Sequence, residues 1–333
     1  MLKYVTVLFP ITVVFTANFS LFQSLLFWTF FVKMALDVRG YISLALLVIY
    51  MPILLTSVFL VWRHGIQKQT GFIFLFVLSL VRIIGSVTHI VAEQSSNPST
   101  GLIECYSILE NVGLSPLMMA TLGFLTTVGR GVFEDPMQAR AGMQFFTAFA
   151  STSMIITVIG GVDLASATSQ SDVNKATTFR HVGCTLFLAL FIMIFLLHLC
   201  FWVEVKKVMP QRRKMLIGIS AALPFLLVRV VYSMLSGYSP ISIPSTTPVQ
   251  NSLSKFSSTN GSWQWYLVMS VAAELITVIT YLILGVALPV SQEYDEAEPY
   301  EHDLEEATPM KSSRSGGRGG RPFGLIGLIA SLL

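Results

Sequence analysis

The sequence contains little charge and very little cysteine. Asp, Glu, Lys and Arg make up only 12% of its 333 residues, about half of the fraction that is usual in soluble domains. Three cysteines are too few for a disulfide scaffold or a zinc ribbon. The sequence also lacks GxxxxGK[ST], GxGxxG, CxxC and HExxH motifs. These absences argue against a soluble globular domain and against nucleic acid as a partner.

Long hydrophobic runs are what the sequence has instead, since 53% of its residues are hydrophobic. A helix needs about 20 apolar residues to cross a bilayer, and in lipid it satisfies its own backbone hydrogen bonds. The sequence therefore predicts an all-α, polytopic membrane protein built as a seven-helix bundle. The predicted spans are 41–62, 71–92, 106–129, 143–162, 181–203, 215–236 and 264–288.

The N-terminal extension, residues 1–33, contains a further apolar stretch from Val5 to Val32. Three interpretations stay open: an extra helix, a signal peptide with an unusually long apolar region, or a chain that truly starts at Met34. The seven-span domain is expected to occupy residues 34–289. Residues 290–333 are acidic and then basic and rich in Gly and Ser, which predicts a disordered cytoplasmic tail.

The loops carry an uneven distribution of positive charge. Those after the first, third and fifth spans hold nine Lys and Arg residues, whereas the alternate loops hold three. Cytoplasmic loops are enriched in Lys and Arg, so the first set is predicted to face the cytoplasm. The first span then starts on the outer side of the membrane, and the seventh span ends in the cytoplasm.

Charged residues inside the spans are the most informative feature. An arginine near the bilayer centre costs about 2.5–3.5 kcal/mol on insertion scales, and it normally faces a partner or a cavity. Arg82 and Glu274 fall near the midplane, and we expect them to pair. Arg229 lies just beyond the midplane and is expected to pair with Glu110. Residues four and seven positions apart share one helix face, so Arg82, His89 and Glu93 lie on the same side of the second span. Depth places the other charged and amide side chains of the spans at similar levels. The predicted polar pocket therefore comprises Arg82, His89, Glu93, Glu110, Asn111, Arg229 and Glu274.

Two interpretations of this polar layer stay open. The side chains could form static ion pairs that fix how the helices pack, or they could line an outward-facing pocket or a translocation path. The segment from Glu110 to Pro116 contains Gly113 and permits either an irregular turn or a simple proline kink. An irregular turn would present free backbone carbonyls, as the discontinuous helices of many transporters do.

Three further sites were considered. Cys105 and Cys184 both fall near the outer surface and form a candidate disulfide. Asn260, in the sequence Asn260-Gly-Ser262, is a candidate glycosylation site in an outer loop. Only His89 and His181 fall in the outer layer, whereas zinc catalysis needs three ligands at one depth. We therefore predict no metal site and no cofactor.

Two stretches of the chain resemble a known family. Arg82-Ile-Ile-Gly85 with His89, and Glu110-Asn-Val-Gly-Leu-Ser-Pro-Leu117, resemble seven-span integral membrane proteins of filamentous fungi whose function is not known. The resemblance covers roughly residues 34–289 and implies a seven-span fold, but no catalytic residue. In topology alone, the chain is also similar to fungal lipid-translocating-exporter-like proteins and to fungal seven-span receptors.

These observations favour a protein that is not an enzyme. We expect it to sense or transport a small amphipathic molecule through the polar pocket, with the lipid bilayer and that molecule as its partners. An intramembrane, metal-dependent lipid hydrolase is the alternative. The sequence does not distinguish the plasma membrane from internal membranes, and it names no cytoplasmic partner.

Overall fold

A computed structural model describes residues 36–64, 70–95, 100–129, 136–167, 169–239, 252–257 and 261–287. These residues form helices joined by turns, and no strand occurs among them. Seven helical stretches are long and apolar enough to cross a membrane, which confirms the predicted seven-helix membrane bundle. The spans are Val38–Trp62, Gly71–Gln94, Cys105–Gly129, Gln144–Leu164, Ser171–Val203, Arg212–Gly237 and Trp263–Ala287.

Five spans are continuous helices. The first two are formed by Val38–His64 and Thr70–Gln94. The fourth, fifth and sixth spans are formed by Pro136–Ala165, Gln170–Val203 and Pro210–Gly237. The first and second spans pack against each other, as do the fourth with the fifth and the sixth with the seventh.

The third span is the central and interrupted one. It consists of Thr100–Val112 and Leu114–Gly129, separated by a turn at Gly113. Pro116 has no N–H, so the carbonyl of Val112 lacks its usual helical donor. The second half packs against the second, fourth, fifth and sixth spans, and all but one of its residues are buried. The interruption corresponds to the irregular turn that the sequence permitted.

The seventh span also departs from regular α-helix. It begins as a single helical turn, Trp263–Trp265, continues as a π-helix, Tyr266–Ala272, and ends as an α-helix, Ala273–Ala287. A short 3₁₀-helix, Ser252–Phe256, precedes it. Pi-helical segments often occur at functional sites, and this one ends two residues before Glu274.

The half of the bundle that is predicted to face the cytoplasm has a tightly packed aromatic core. Phe124 of the third span lies between Phe72 of the second and Tyr281 of the seventh, with ring centroids 5.0 and 4.9 Å apart. The hydroxyl groups of Tyr281 and Thr121 are 2.8 Å apart, so that tyrosine oxygen has a partner. No charged side chain takes part in these contacts.

Candidate functional site

Glu274 is the centre of the charged layer. Arg82 donates two hydrogen bonds to its carboxylate, from Nε to Oε1 and from Nη2 to Oε2. The hydroxyl of Tyr50 donates to Oε1 at 2.6 Å, and Nε of Arg229 donates to Oε2 at 3.3 Å. All four side chains are buried. One carboxylate of the seventh span thus joins the first, second and sixth spans, and the predicted pair of Arg82 with Glu274 is present.

Arg229 does not make the predicted ion pair with Glu110. Its Nη2 instead donates to the backbone carbonyl oxygen of Glu110 at 3.0 Å. Glu110 lies in the last turn of the helix Thr100–Val112, where backbone carbonyls are available to donors from other helices. Gly113 itself lies close to Arg82. A Cβ atom added at this glycine would be only 3.3 Å from the guanidinium.

The carboxylate of Glu110 contrasts with that of Glu274. The residue is only 7% exposed, yet among the described residues its carboxylate makes no hydrogen bond or ion pair. The positive charges that act on it are the guanidinium groups of Arg229, Arg82 and Arg39. A buried carboxylate without donors is unfavourable, so this side chain calls for a functional explanation.

A small cavity, which we call the outer cavity, reaches Glu110 and Arg82 from the end of the bundle predicted to face away from the cytoplasm. It is partly open and has a volume of about 30 Å³. A water molecule needs about 10–15 Å³ of such space, so there is room for about two. Its walls come from the first, second, third and seventh spans: Arg39, Ser43, Leu46, Val81, Arg82, Gly85, Ser86, His89, Tyr106, Leu109, Glu110 and Tyr266.

His89 and Glu93 lie at the outer edge of this site. Nδ1 of His89 is 3.1 Å from the hydroxyl of Ser43, and its ring meets Tyr106 edge-on with centroids 4.4 Å apart. Glu93 accepts a hydrogen bond from the backbone N–H of Asp37 at the start of the first span, and it lies 4.0 Å from His89. A carboxylate at a helix N-terminus is favourable, so Glu93 stabilises the start of the first span and does not line the cavity.

Arg39 and the tyrosines are site residues that the sequence did not reveal. Nη2 of Arg39 donates to the backbone oxygen of Gly261 at 2.6 Å, and its guanidinium lies 5.7 Å from the ring centre of Tyr266. Arg39 precedes the predicted first span, 41–62, so a search for charges inside the spans does not find it. Tyr50 and Tyr106 carry no charge, so they gave no signal within apolar segments.

Three other predicted site residues, Asn111, Cys105 and Cys184, lie outside the cavity lining. Asn111 donates from Nδ2 to the carbonyl oxygen of Ser107 in its own helix, at 2.9 Å. The candidate disulfide is wrong: Cys105 is exposed and Cys184 is buried, and both are free thiols. The sulfur of Cys184 faces the sixth span, 3.5 Å from the carbonyl oxygen of Ser233. Asn260 falls outside the residues that the structure describes.

The described residues contain no group of three or more His, Cys, Asp or Glu side chains that could hold a metal ion. The site consists instead of a fixed ion-pair cluster, an unpaired carboxylate and a small water-sized cavity. Such a site can bind a polar group or a proton by hydrogen bonding and charge. Its described side chains do not form a metal-ligand set.

Comparison with known proteins identifies a family but no activity. Residues 36–291 match the family described as a domain of unknown function, DUF7702. No curated protein and no solved structure matches the chain. Any function must therefore be inferred from the geometry of the chain itself.

Proposed function

Because the chain belongs to the DUF7702 family, whose description assigns no activity, we propose from its geometry that it senses or transports a small amphipathic molecule. The polar end of that molecule would enter the outer cavity, and its apolar part would lie towards the bilayer. The protein is a multi-pass membrane protein with seven spans, so an amphipathic ligand can reach it from the membrane or from water.

The observation that carries this proposal is that the outer cavity ends at an unpaired, buried carboxylate. A purely structural ion-pair network needs neither a cavity nor an unpaired Glu110. The pairing around Glu274 is complete, with two arginines and a tyrosine on one carboxylate. Buried polar groups that lack partners are rare in proteins and are expected at sites with a function.

The composition of the cavity wall fits an amphipathic ligand. Leu46, Val81 and Leu109 provide apolar surface, and Ser86, His89 and Tyr106 provide hydrogen-bonding groups. Ligand sites in proteins commonly combine an apolar lining with a few polar groups that fix orientation. The volume of about 30 Å³ admits only a small polar group, so a longer ligand must leave its tail outside.

Sensing and transport make different demands on the cytoplasmic half. A transporter must open the aromatic core around Phe124 to complete alternating access. A sensor needs only a change in the packing of the interrupted third span or the π-helical seventh span. Both elements contact the site, since Glu110 and Tyr266 line the cavity.

Ligand-induced stabilisation tests the proposal. The purified chain in lipid nanodiscs is heated with decanoate, decanol or decylamine, which share a tail and differ in the polar group. A ligand that binds only the folded state at 100 times its Kd raises the free energy of unfolding by about 2.7 kcal/mol. We expect at least one compound to raise the melting temperature.

Two substitutions at neighbouring positions test whether the ligand-induced stabilisation arises in the outer cavity. Ser86→Phe fills the outer cavity, because Ser86 is buried in its wall, whereas Val87 is 43% exposed on the outside of the same helix. The stabilisation should survive Val87→Phe and disappear in Ser86→Phe. The absence of any shift, or a shift that persists in Ser86→Phe, would count against the proposal. Flux of the active compound into proteoliposomes then separates transport from sensing.

Several finer expectations stay predictions. The fungal origin and the topological likeness to lipid-translocating-exporter-like proteins have no support beyond the sequence. The same holds for the choice between plasma membrane and internal membranes. The alternative of a metal-dependent lipid hydrolase gains nothing from the site, because its described residues do not converge as a set of metal ligands.

A further inference from the structure

We infer that Glu110 is a proton-binding residue that exchanges its proton with water in the outer cavity. The carboxylate takes a proton from a hydronium ion in the cavity and becomes a neutral carboxylic acid, leaving a water molecule. No other bond changes. This inference goes beyond the proposed function, because it needs no ligand and holds for a sensor and a transporter alike.

The first support is the contrast between two buried carboxylates in one cluster. Glu274 accepts hydrogen bonds from Arg82, Arg229 and Tyr50, which stabilise its charged form. Glu110 is also more than nine-tenths buried, but no donor reaches its carboxylate among the described residues. Burial alone disfavours a charged carboxylate, so a proton is the simplest group that relieves Glu110.

The second support is that the arginines near Glu110 already have other partners. Arg82 is held by Glu274, and Arg229 by Glu274 and by the backbone carbonyl of Glu110. Arg39 is held by the carbonyl oxygen of Gly261. Turning any of these guanidinium groups towards the Glu110 side chain would break an existing contact.

The charged and titratable groups around Glu110 come from the first, second, third, sixth and seventh spans, and His89 of the second span lines the same cavity. The charged ones are Arg39 of the first span, Arg82 of the second, Arg229 of the sixth and Glu274 of the seventh. The titratable phenols are Tyr106, Tyr232 and Tyr266. The cluster therefore contains three positive charges, which are the arginines. It contains one negative charge on Glu274 and a second one when Glu110 is ionised. A proton on Glu110 changes the balance of this cluster by one charge.

Three further polar side-chain atoms of the sixth and seventh spans are buried near this cluster. Nη1 of Arg229, the hydroxyl of Tyr232 and the hydroxyl of Ser270 are buried and have no hydrogen-bond partner in the part of the chain that the structure describes. The guanidinium of Arg229 lies 5.9 Å from the ring centre of Tyr232, and Ser270 is one turn before Glu274. Buried groups of this kind usually bind ordered water. The three side chains belong to the same polar cluster as Glu110, whose backbone carbonyl oxygen accepts a hydrogen bond from Arg229.

Infrared difference spectroscopy tests the inference without any ligand. Spectra of the full chain in lipid nanodiscs are recorded at acidic and at neutral pH, for the unaltered chain and for Glu110→Gln. Exposed carboxyl groups contribute equally to both proteins and cancel when the two difference spectra are subtracted. We expect one remaining carboxylic acid C=O band, and Glu204→Gln, a change at the cytoplasmic boundary, should leave that band in place.

Glu110→Asp keeps the inference testable if Glu110→Gln does not fold. It retains an acid at this position and should shift the frequency of the band without removing it. Identical pH-dependent spectra for the unaltered chain and Glu110→Gln would overturn the inference, as would a Glu110 band that stays constant at every pH. A failure of decanoate, decanol and decylamine to stabilise the protein would weigh against the proposed function but would leave this result unchanged.

Discussion

Arg82 and Glu274 form a two-point ion pair that joins the second and seventh spans across 192 residues of sequence. The guanidinium and the carboxylate are both buried, and Arg229 and Tyr50 add to the same carboxylate. The cluster is therefore asymmetric, with one acceptor serving three donors. Several consequences of substitution follow from that asymmetry.

The first prediction is that the two partners differ in importance. Removing one partner of a buried ion pair typically costs about 3–5 kcal/mol. Arg82→Ala leaves Glu274 with Arg229 and Tyr50, whereas Glu274→Ala leaves two buried arginines without a carboxylate. We expect both variants to unfold at lower temperature in detergent, with the larger loss for Glu274→Ala.

The control is Lys207→Ala, in an exposed pair with Glu204, which should change the free energy of unfolding by less than about 1 kcal/mol. Equal losses at positions 82 and 274 would contradict the asymmetry.

The second prediction concerns exchange of the two charges. The double variant Arg82→Glu with Glu274→Arg would restore a simple pair. We expect that the double variant does not recover stability. Nε of Arg229 donates to Glu274 at 3.3 Å, so an arginine at position 274 would place a second positive charge beside Arg229. Adding Arg229→Met to the double variant should recover part of the loss. Full rescue by the double exchange alone, measured as surface expression and melting temperature, would show that Arg229 is not coupled to the pair.

The third prediction concerns the turn in the third span. An added methyl group at Gly113 would lie 3.3 Å from the guanidinium of Arg82, whereas one at Gly101 of the same span would meet no atom within 4 Å. Because Arg82 is fixed by Glu274, Gly113→Ala should lower the melting temperature. Gly101→Ala should leave it unchanged or raise it slightly, since Ala favours a helix over Gly. Similar behaviour of the two variants would mean that the guanidinium can move freely.

The fourth prediction concerns Arg39 at the mouth of the outer cavity. Its Nη2 donates to the carbonyl oxygen of Gly261 and contacts that of Ser257 at 3.4 Å, which ties the first span to the segment before the seventh. Arg39→Ala should increase amide hydrogen exchange in residues 252–257. Lys175→Ala, an exposed change at the start of the fifth span, is the matched control. Unchanged exchange in Arg39→Ala would show that other contacts hold this segment.

The fifth prediction concerns orientation in the membrane. Lys207 follows the fifth span and is 58% exposed, and Lys175 is exposed at the opposite end of that span. In a Cys105→Ser background, Lys207→Cys should react with an impermeant maleimide only from the cytoplasmic side. Lys175→Cys should react only from the other side. Labelling of both from one side would overturn the assignment based on nine Lys and Arg residues against three.

Much of the fold could be predicted from the sequence. All seven predicted spans lie on the seven observed ones, because apolar length is a property of consecutive residues. The predicted fourth span at 143–162 falls within the helix Pro136–Ala165. The pairing of Arg82 with Glu274 followed from equal depth, since both were expected near the midplane.

The rest of the site depended on contacts that no pattern encodes. Depth placed Arg229 near Glu110, but the acceptor is the backbone carbonyl of Glu110, in the last turn of its helix, in place of the carboxylate. Similarly, depth placed Cys105 near Cys184, yet one thiol is exposed and the other faces the sixth span. A hydropathy pattern gives the height of a residue along its helix but not the direction in which its side chain points.

The sequence by itself therefore determined the class of protein, the number and limits of its spans, and which charges had to be buried. Hydrocarbon imposes those features along the chain, residue by residue. Only the tertiary structure decided which helices are neighbours, that Glu274 receives both central arginines, and that Glu110 faces a water-sized cavity without a partner. Those outcomes depend on how side chains from distant parts of the sequence fit together, and that fit exists only once the helices have packed.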